Sequence, residues 1–183
     1  LPEILMTLQD NFNQHSKHCN FIDDEFFISE REKIFKKIYL NKFDKRNNES
    51  LKNINFKDLN SFNYYFQPST EKPSVNLLEK NVYEINIING KCNNYEDANF
   101  EIRNVTKKDL ANSRKIFFRD NKDIVLDYNT IFLNSGIFFK VKTKSKIKVK
   151  LFYKTQKNYT VFQHNIFIFN NNCEVDIEDN FNL

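Results

Sequence analysis

Alternation of apolar and polar residues with a period of two dominates the last third of the chain. After Gly136, residues Ile137, Phe139 and Val141 alternate with Phe138, Lys140 and Lys142, and Ile147, Val149, Leu151 and Tyr153 alternate with Lys146, Lys148 and Lys150. A third run, Val161 to Phe169, is mostly apolar around Gln163, His164 and Asn165, while a fourth sets Cys173, Val175 and Ile177 against Glu174, Asp176 and Glu178. Successive side chains of a strand point to opposite faces, so three of these four segments are expected to bury one face and wet the other. From Ile131 to Ile177 the pattern predicts short strands in succession, with strands taking over after Asp127.

The first part of the chain follows another period. Between about Ile4 and Phe43 apolar residues recur at three and four (Ile22, Phe26, Phe27, then Ile34, Phe35, Ile38, Tyr39), which predicts two helices joined near Ile28. Ser29 and Glu32 match a capping box opening the second, and Glu30, Glu32 and Lys42 suit its dipole. Asp44 to Ser74 turns polar and Asn-rich, with Pro68 and Pro73 bounding Ser69 to Lys72, which predicts a linker or irregular cover pinned by Phe62, Tyr64, Tyr65 and Phe66. Val82 to Ile88 predicts a strand ended by the Asn89-Gly90 hairpin dipeptide, with a short strand near Phe100 to Ile102 and a helix near Thr106 to Phe117. Thr106 and Asp109 form the weak capping pair of that helix. The resulting division is a helical region and linker over 1–74, a small α+β region over 75–125, and a strand domain over 126–183.

Strand spacing separates a sandwich from a solenoid. No hairpin dipeptide joins the later strands, and comparable positions recur at offsets of 24 to 28 residues, Ile137 with Val161 and Lys148 with Asp176. This falls in the repeat range of stacked architectures, roughly 20 to 45 residues. The expected fold is mainly β with an α-helical N-terminal part, the strands making the first two or so coils of a β-helix. An offset of 28 residues also carries Lys146, Lys148 and Lys150 onto Glu174, Asp176 and Glu178, predicting an opposite-charge ladder that fixes register.

Composition narrows the function classes only a little. The 183 residues include 20 Phe but 2 Gly, 3 Pro, 1 Met and no Trp, a bias toward A+T-rich codons that leaves most single Lys and Asn residues uninformative. A net charge of +4 carried mostly by Lys does not indicate nucleic acid, because base readout and bidentate phosphate contacts favour Arg. No apolar run approaches the roughly 20 residues of a membrane helix. Three scattered cysteines, Cys19, Cys92 and Cys173, fit neither a disulfide framework nor a zinc spacing and point to a reducing compartment. Beginning at Leu1 without a charged and apolar leader, the chain reads as a soluble fragment, with the question of a removed targeting peptide open.

Candidate chemistry is sparse. His15, His18 and Cys19 could start a metal site, yet no second ligand pair completes it and a surface helix accounts for them. Cys173 begins the apolar face of a strand and reads as a small core residue, His164 as a buried hydrogen-bonded one. Asp176 and Glu178 share a strand face, as the carboxylates of polysaccharide-cleaving β-helices do, but no partner base or groove accompanies them. The lysines from Lys140 to Lys150 read first as a solvated face.

The segment from Leu126 to Val141 resembles the lead-in to the β-helix of the SufD family, scaffold subunits of the SUF iron–sulfur cluster assembly complex. There a short helix and a Gly step precede a strand, a turn and a second strand of the kind seen in Ile147 to Tyr153. Ile177-Glu178 is similar to the family's Ile-Glu near the end of a rung, Val82 to Lys91 to its hairpin, and Arg31 to Lys37 faintly to its Arg-x-Glu-x-Trp-Lys-Tyr helix. Phe35 stands for the Trp, Lys37 for the Tyr, Val149 for a usual Pro, Gln163 for a common Arg and Asn171 for a turn Gly. The resemblance covers roughly Val82 to Phe181.

It implies a right-handed β-helix of SufB/SufD type and a non-catalytic scaffold that pairs with SufB-like and SufC-like subunits, with no nucleic acid and no membrane as partner. The location implied is cytoplasmic, or the plastid stroma in a plastid-bearing organism. An iron–sulfur cluster would be handled transiently by the complex, through late rungs beyond Leu183. No catalytic, cofactor-binding or metal residue is therefore assigned. The alternatives are the SufB paralogue and an unrelated carbohydrate-active or adhesive β-helix.

Overall fold

The computed structural model describes residues 7–18, 25–40, 71–113, 124–142, 146–156, 159–170 and 173–182. Helices α1 (Leu8–His18) and α2 (Glu25–Leu40) come first, followed by β1 (Ser74–Glu79), β2 (Val82–Ile88), β3 (Tyr95–Glu96) and β4 (Phe100–Asn104). Two short helices, α3 (Lys107–Asn112) and α4 (Ile124–Ile131), lead to β5 (Ile137–Val141), β6 (Lys146–Lys154), β7 (Ile166–Ile168) and β8 (Glu174–Asn182). Helix and strand occupy comparable shares of the described residues, so the class is mixed α and β where a mainly β chain was expected.

The strands form two four-stranded sheets, ordered β1-β2-β6-β8 and β3-β4-β5-β7, with no closed barrel. Strands β2, β6 and β8 are parallel, as are β5 and β7, whereas β1 and the β3-β4-β5 series are antiparallel. The chain crosses from one sheet to the other at each step from β5 to β8. Both resulting parallel pairings keep one register: Phe138 faces Ile166 and Lys146 faces Glu174, 28 residues on in each case. The alternative offset of 24, Ile137 with Val161, is not used. The amide of Ile137 donates to Oδ1 of Asn165, again 28 residues on, at 3.0 Å.

Between the sheets lies the main core. Tyr83, Ile85, Ile87, Ile147, Val149 and Leu151 enter it from one side, and Phe100, Ile102, Ile137, Phe139 and Val141 from the other. Period-two alternation thus does what it predicted, since Ile147, Val149 and Leu151 are fully buried while the lysines between them face out. Each such aliphatic side chain contributes about 1.5 to 3 kcal/mol by leaving water.

Register depends on the corners where the chain turns between sheets. Asn134 accepts from the amide of Phe162 at 3.0 Å and donates to the carbonyl of Thr160 at 2.8 Å, while its own amide donates to the Phe162 carbonyl. Asn170 donates to the carbonyl of Lys142, and Asn129 to that of Gln163. Gly136 closes the corner: a Cβ placed there would stand 2.0 Å from the carbonyl oxygen of His164, its stacking partner 28 residues on. Several asparagines that composition dismissed as codon bias are thus backbone ligands.

Some expected boundaries shift. Helix α2 opens at Glu25, so Ser29 and Glu32 lie inside it and cap nothing, because Phe27, Arg31, Phe35 and Ile38 make one continuous stripe toward the core. Helix α4 runs to Ile131, past Asp127, and the Val161–Phe169 run is a strand only over β7. The Asn89-Gly90 turn forms, both residues having positive φ (50° and 74°) and Ile88 and Lys91 exchanging two hydrogen bonds. It does not start a hairpin ladder, because β2 is already flanked by β6 and by β1, a strand that lay beyond the expected linker. The capping pair at Thr106 and Asp109 is a true capping box. The joint between α1 and α2, the aromatics Phe62 to Phe66 and the stretch from Arg114 to Phe117 lie outside the described residues.

Replacing Gly136 by Ala puts a methyl group against a backbone carbonyl that cannot swing aside. We expect a loss of about 3 kcal/mol or more in urea unfolding, with a cost below about 0.5 kcal/mol for the exposed control Lys140→Ala. A Gly136→Ala chain as stable as the parent would show that the corner is not tight.

Candidate functional site

The outer face of the β1-β2-β6-β8 sheet carries the charged rows that the sequence singled out. Lys146 is paired with Glu174 at 2.6 Å, and Lys148 reaches Asp176 at 3.3 Å and Glu178 at 4.0 Å. The predicted ladder is therefore present, on one face and on adjacent strands, with Lys150 in register between Glu84 and Glu178. Its role in fixing register is slight. Glu174 and Asp176 are 70% and 65% exposed, and exposed ion pairs contribute little because water screens them. Moreover, a slip by two residues keeps every side chain on its face and loses only the end pair, whereas it would wreck the Gly136 and Asn134 corners. Register is held there.

Asp176 and Glu178 are solvated partners of Lys148, which removes the geometric case for a carboxylate pair acting on a sugar. An open groove of about 480 Å³ at the N-terminal ends of β2, β6 and β8 is lined by Lys80, Lys146, Lys148, Glu174 and Asp176. Its lining sets three lysines against two carboxylates, two of the lysines being paired with those carboxylates.

His15 is the position where surface-helix reasoning fails. Together with Asn11 it is fully buried, and its Nδ1 lies 2.8 Å from Nη2 of Arg31. Arg31, itself buried, donates from Nε and Nη2 to the carbonyl of Ile131 at 2.9 and 2.7 Å, and its guanidinium lies 5.1 Å from the centre of the Phe12 ring. One side chain thus ties α1, α2 and the C-terminal end of α4, where a positive charge meets the negative end of the helix dipole. Burial, reinforced by the charge of Arg31, lowers the His15 pKa to about 3. The signal was available in sequence, since Arg31 occupies the apolar stripe of α2 between Phe27 and Phe35. The His18 side chain and Cys19 lie outside the described residues.

A second node was missed. Arg103 grips Asp109 with two nitrogens at 2.5 and 2.9 Å, bonds Glu101 at 2.8 Å and lies 3.9 Å above the Phe138 ring. Arg103 and the Thr106 cap hold the Asp109 carboxyl down at about 2, against the opposing effect of burial. Structural ion pairs of this kind perturb pKa values without implying catalysis.

His164 is partly buried, and desolvation lowers its pKa to about 4. Cys173 packs beside the main core and its thiol lies 2.9 Å from the Asn170 carbonyl, in keeping with a small core residue. Cys92 is buried, which pushes its thiol up to about 12, away from nucleophile chemistry. Among the described residues no three His, Cys, Asp or Glu side chains gather as metal ligands, and no helix is long and apolar enough to cross a membrane. Compared with models of protein families, with curated proteins and with solved structures, the chain has no match.

Both histidines titrate lower in the folded chain than their ordinary value of 6.5, so below that pH the unfolded chain binds more protons and stability falls on acidification toward 4. Going from pH 7 to pH 5 should cost about 2 kcal/mol per histidine, read from urea midpoints, and His15→Gln should remove about half of that slope. A flat profile between pH 7 and 5 would contradict it.

Proposed function

We propose that this chain is a non-catalytic, SufD-like scaffold subunit for iron–sulfur cluster assembly, its stacked strands forming the first coils of a β-helix. It pairs with a SufB-like subunit and works with the ATPase SufC, in the cytoplasm or a plastid stroma. One observation carries the reading: β5 with β7 and β6 with β8 are parallel pairs with the same 28-residue step in two facing sheets. A chain wound in coils of constant length has that step in every sheet it visits.

Local features support the same reading. Helix α4, the Gly136 step and β5 follow one another in the order the SufD resemblance requires, and Ile177-Glu178 lies within β8. The face that could have carried sugar chemistry, at Asp176 and Glu178, is occupied by lysine pairing. Within this proposal the cluster is cargo of the assembled complex, and no residue of this chain is assigned to hold it.

The test is co-expression of the tagged chain with SufB-like and SufC-like subunits, followed by affinity purification and native mass spectrometry. We expect one complex containing all three, and loss of it in a Gly136→Val chain. Recovery of the folded chain alone would overturn the proposal, and recovery with a second SufD-like subunit in place of SufB would make it the paralogue.

A further inference from the structure

The Asn89-Gly90 corner holds in check a reaction that its own sequence invites. When glycine follows asparagine, no side chain shields the glycine amide nitrogen, and that nitrogen can attack Cγ of the asparagine. The new N–Cγ bond closes a five-membered succinimide, the Cγ–Nδ2 bond breaks, and Nδ2 leaves as ammonia with the amide proton. Water then opens one of the two ring carbonyls. The product is aspartate, or isoaspartate with the main chain rerouted through Cγ. The reaction needs only water and a carboxamide free to swing onto the following nitrogen.

In the fold that freedom is gone. Asn89 is 2% exposed, its Nδ2 donates to Oε1 of Gln156 at 3.1 Å, and its Oδ1 accepts from the Gln156 amide at 2.9 Å. Both ends of the carboxamide are thus fixed to a segment 67 residues on. The Asn89 amide donates to the Lys154 carbonyl at 2.9 Å, and Ile88 and Lys91 close the turn with two hydrogen bonds. Packing also keeps the labile dipeptide in place, because a Cβ at Gly90 would stand 2.2 Å from Oγ of Ser135 and 3.0 Å from Cγ1 of Val161. No bulkier, slower-reacting residue can follow Asn89. By contrast, Asn81 precedes Val82 and Asn86 precedes Ile87, whose branched side chains hinder the same attack.

Neither product fits the corner. An aspartate there has no donor for Oε1 of Gln156 and brings a buried charge against it, and isoaspartate adds an extra carbon to a main chain already closed by two hydrogen bonds. We propose that Asn89 is a site of spontaneous deamidation that the folded corner silences and unfolding opens, so that modification there makes unfolding irreversible. This inference stands on the corner alone and goes beyond the scaffold assignment, so peptide chemistry bears on the one and subunit co-purification on the other.

The test follows the tryptic peptide of residues 81–91 by mass spectrometry, with electron-transfer fragmentation separating aspartate from isoaspartate. The full chain is held at neutral pH, either folded or in urea. In urea Asn89 should convert while Asn81 and Asn86 of the same peptide stay intact. In the folded chain conversion should be at least about a hundredfold slower, because it tracks the small population with the corner open. Gln156→Ala, shown to be folded by circular dichroism, should speed it about tenfold by removing the Nδ2 partner. When the urea sample is diluted, the refolded monomer should be depleted about tenfold in chains modified at Asn89. The proposal is overturned by equal conversion in the folded and urea samples, by no conversion in urea, by a folded Gln156→Ala chain that converts no faster, or by modified chains that refold as fully as the parent.

Discussion

Close backbone approach at Gly136 is the constraint on which the rest of the structure depends. Two facing sheets can share one register only if the chain turns between them at the same place in each pass, and a turn buried against the next pass must satisfy its own polar backbone. Gly136 removes the side chain that would hold it away from the His164 carbonyl, and Asn134 supplies the hydrogen bonds that two turning backbones cannot give each other. Once that corner is set, the aliphatic rows of β5 and β6 fall over those of β7 and β8. The charged ladder then follows from register more than it determines it.

Hydrogen bonds of the same kind recur at other corners. Asn89 bonds Gln156 through both side-chain atoms, and Asn104 does the same to the backbone of Cys92. Asn suits this work because it offers a donor and an acceptor on one short, stiff side chain. The N-terminal helices join through a different device, the single buried guanidinium of Arg31. It bonds the last carbonyl of α4, and α4 ends five residues before Gly136 begins its corner at Ser135 and beyond. Helical cover and stacked strands are thus linked through one short segment.

Period-two alternation was legible because burial on one face leaves a regular trace, and the ladder was legible because its members sit at matching positions in two such traces. Helix α4 left no helical signal of its own, because Ile131, Phe132 and Leu133 look like the start of a strand when burial is continuous. Strand β1 was missed since Leu77 and Leu78 are exposed on an edge, and an edge strand has no single buried face to mark it. His15 was taken for a surface-helix residue, although it shares a face of α1 with Leu8 and Asn11, at helical spacing, and all three are buried. Pairings such as Arg103 with Asp109 depend on packing against Phe138, which arrives from 35 residues further on and leaves no local signal.

Glycine use has a last consequence. A chain steered toward A+T-rich codons has kept only two glycines, and a methyl group at either would collide, at Gly90 with Ser135 and at Gly136 with the His164 carbonyl. Both mark points where segments distant in sequence leave no room for a side chain. In a chain with so few glycines, each one is therefore an economical guide to where segments distant in sequence come closest.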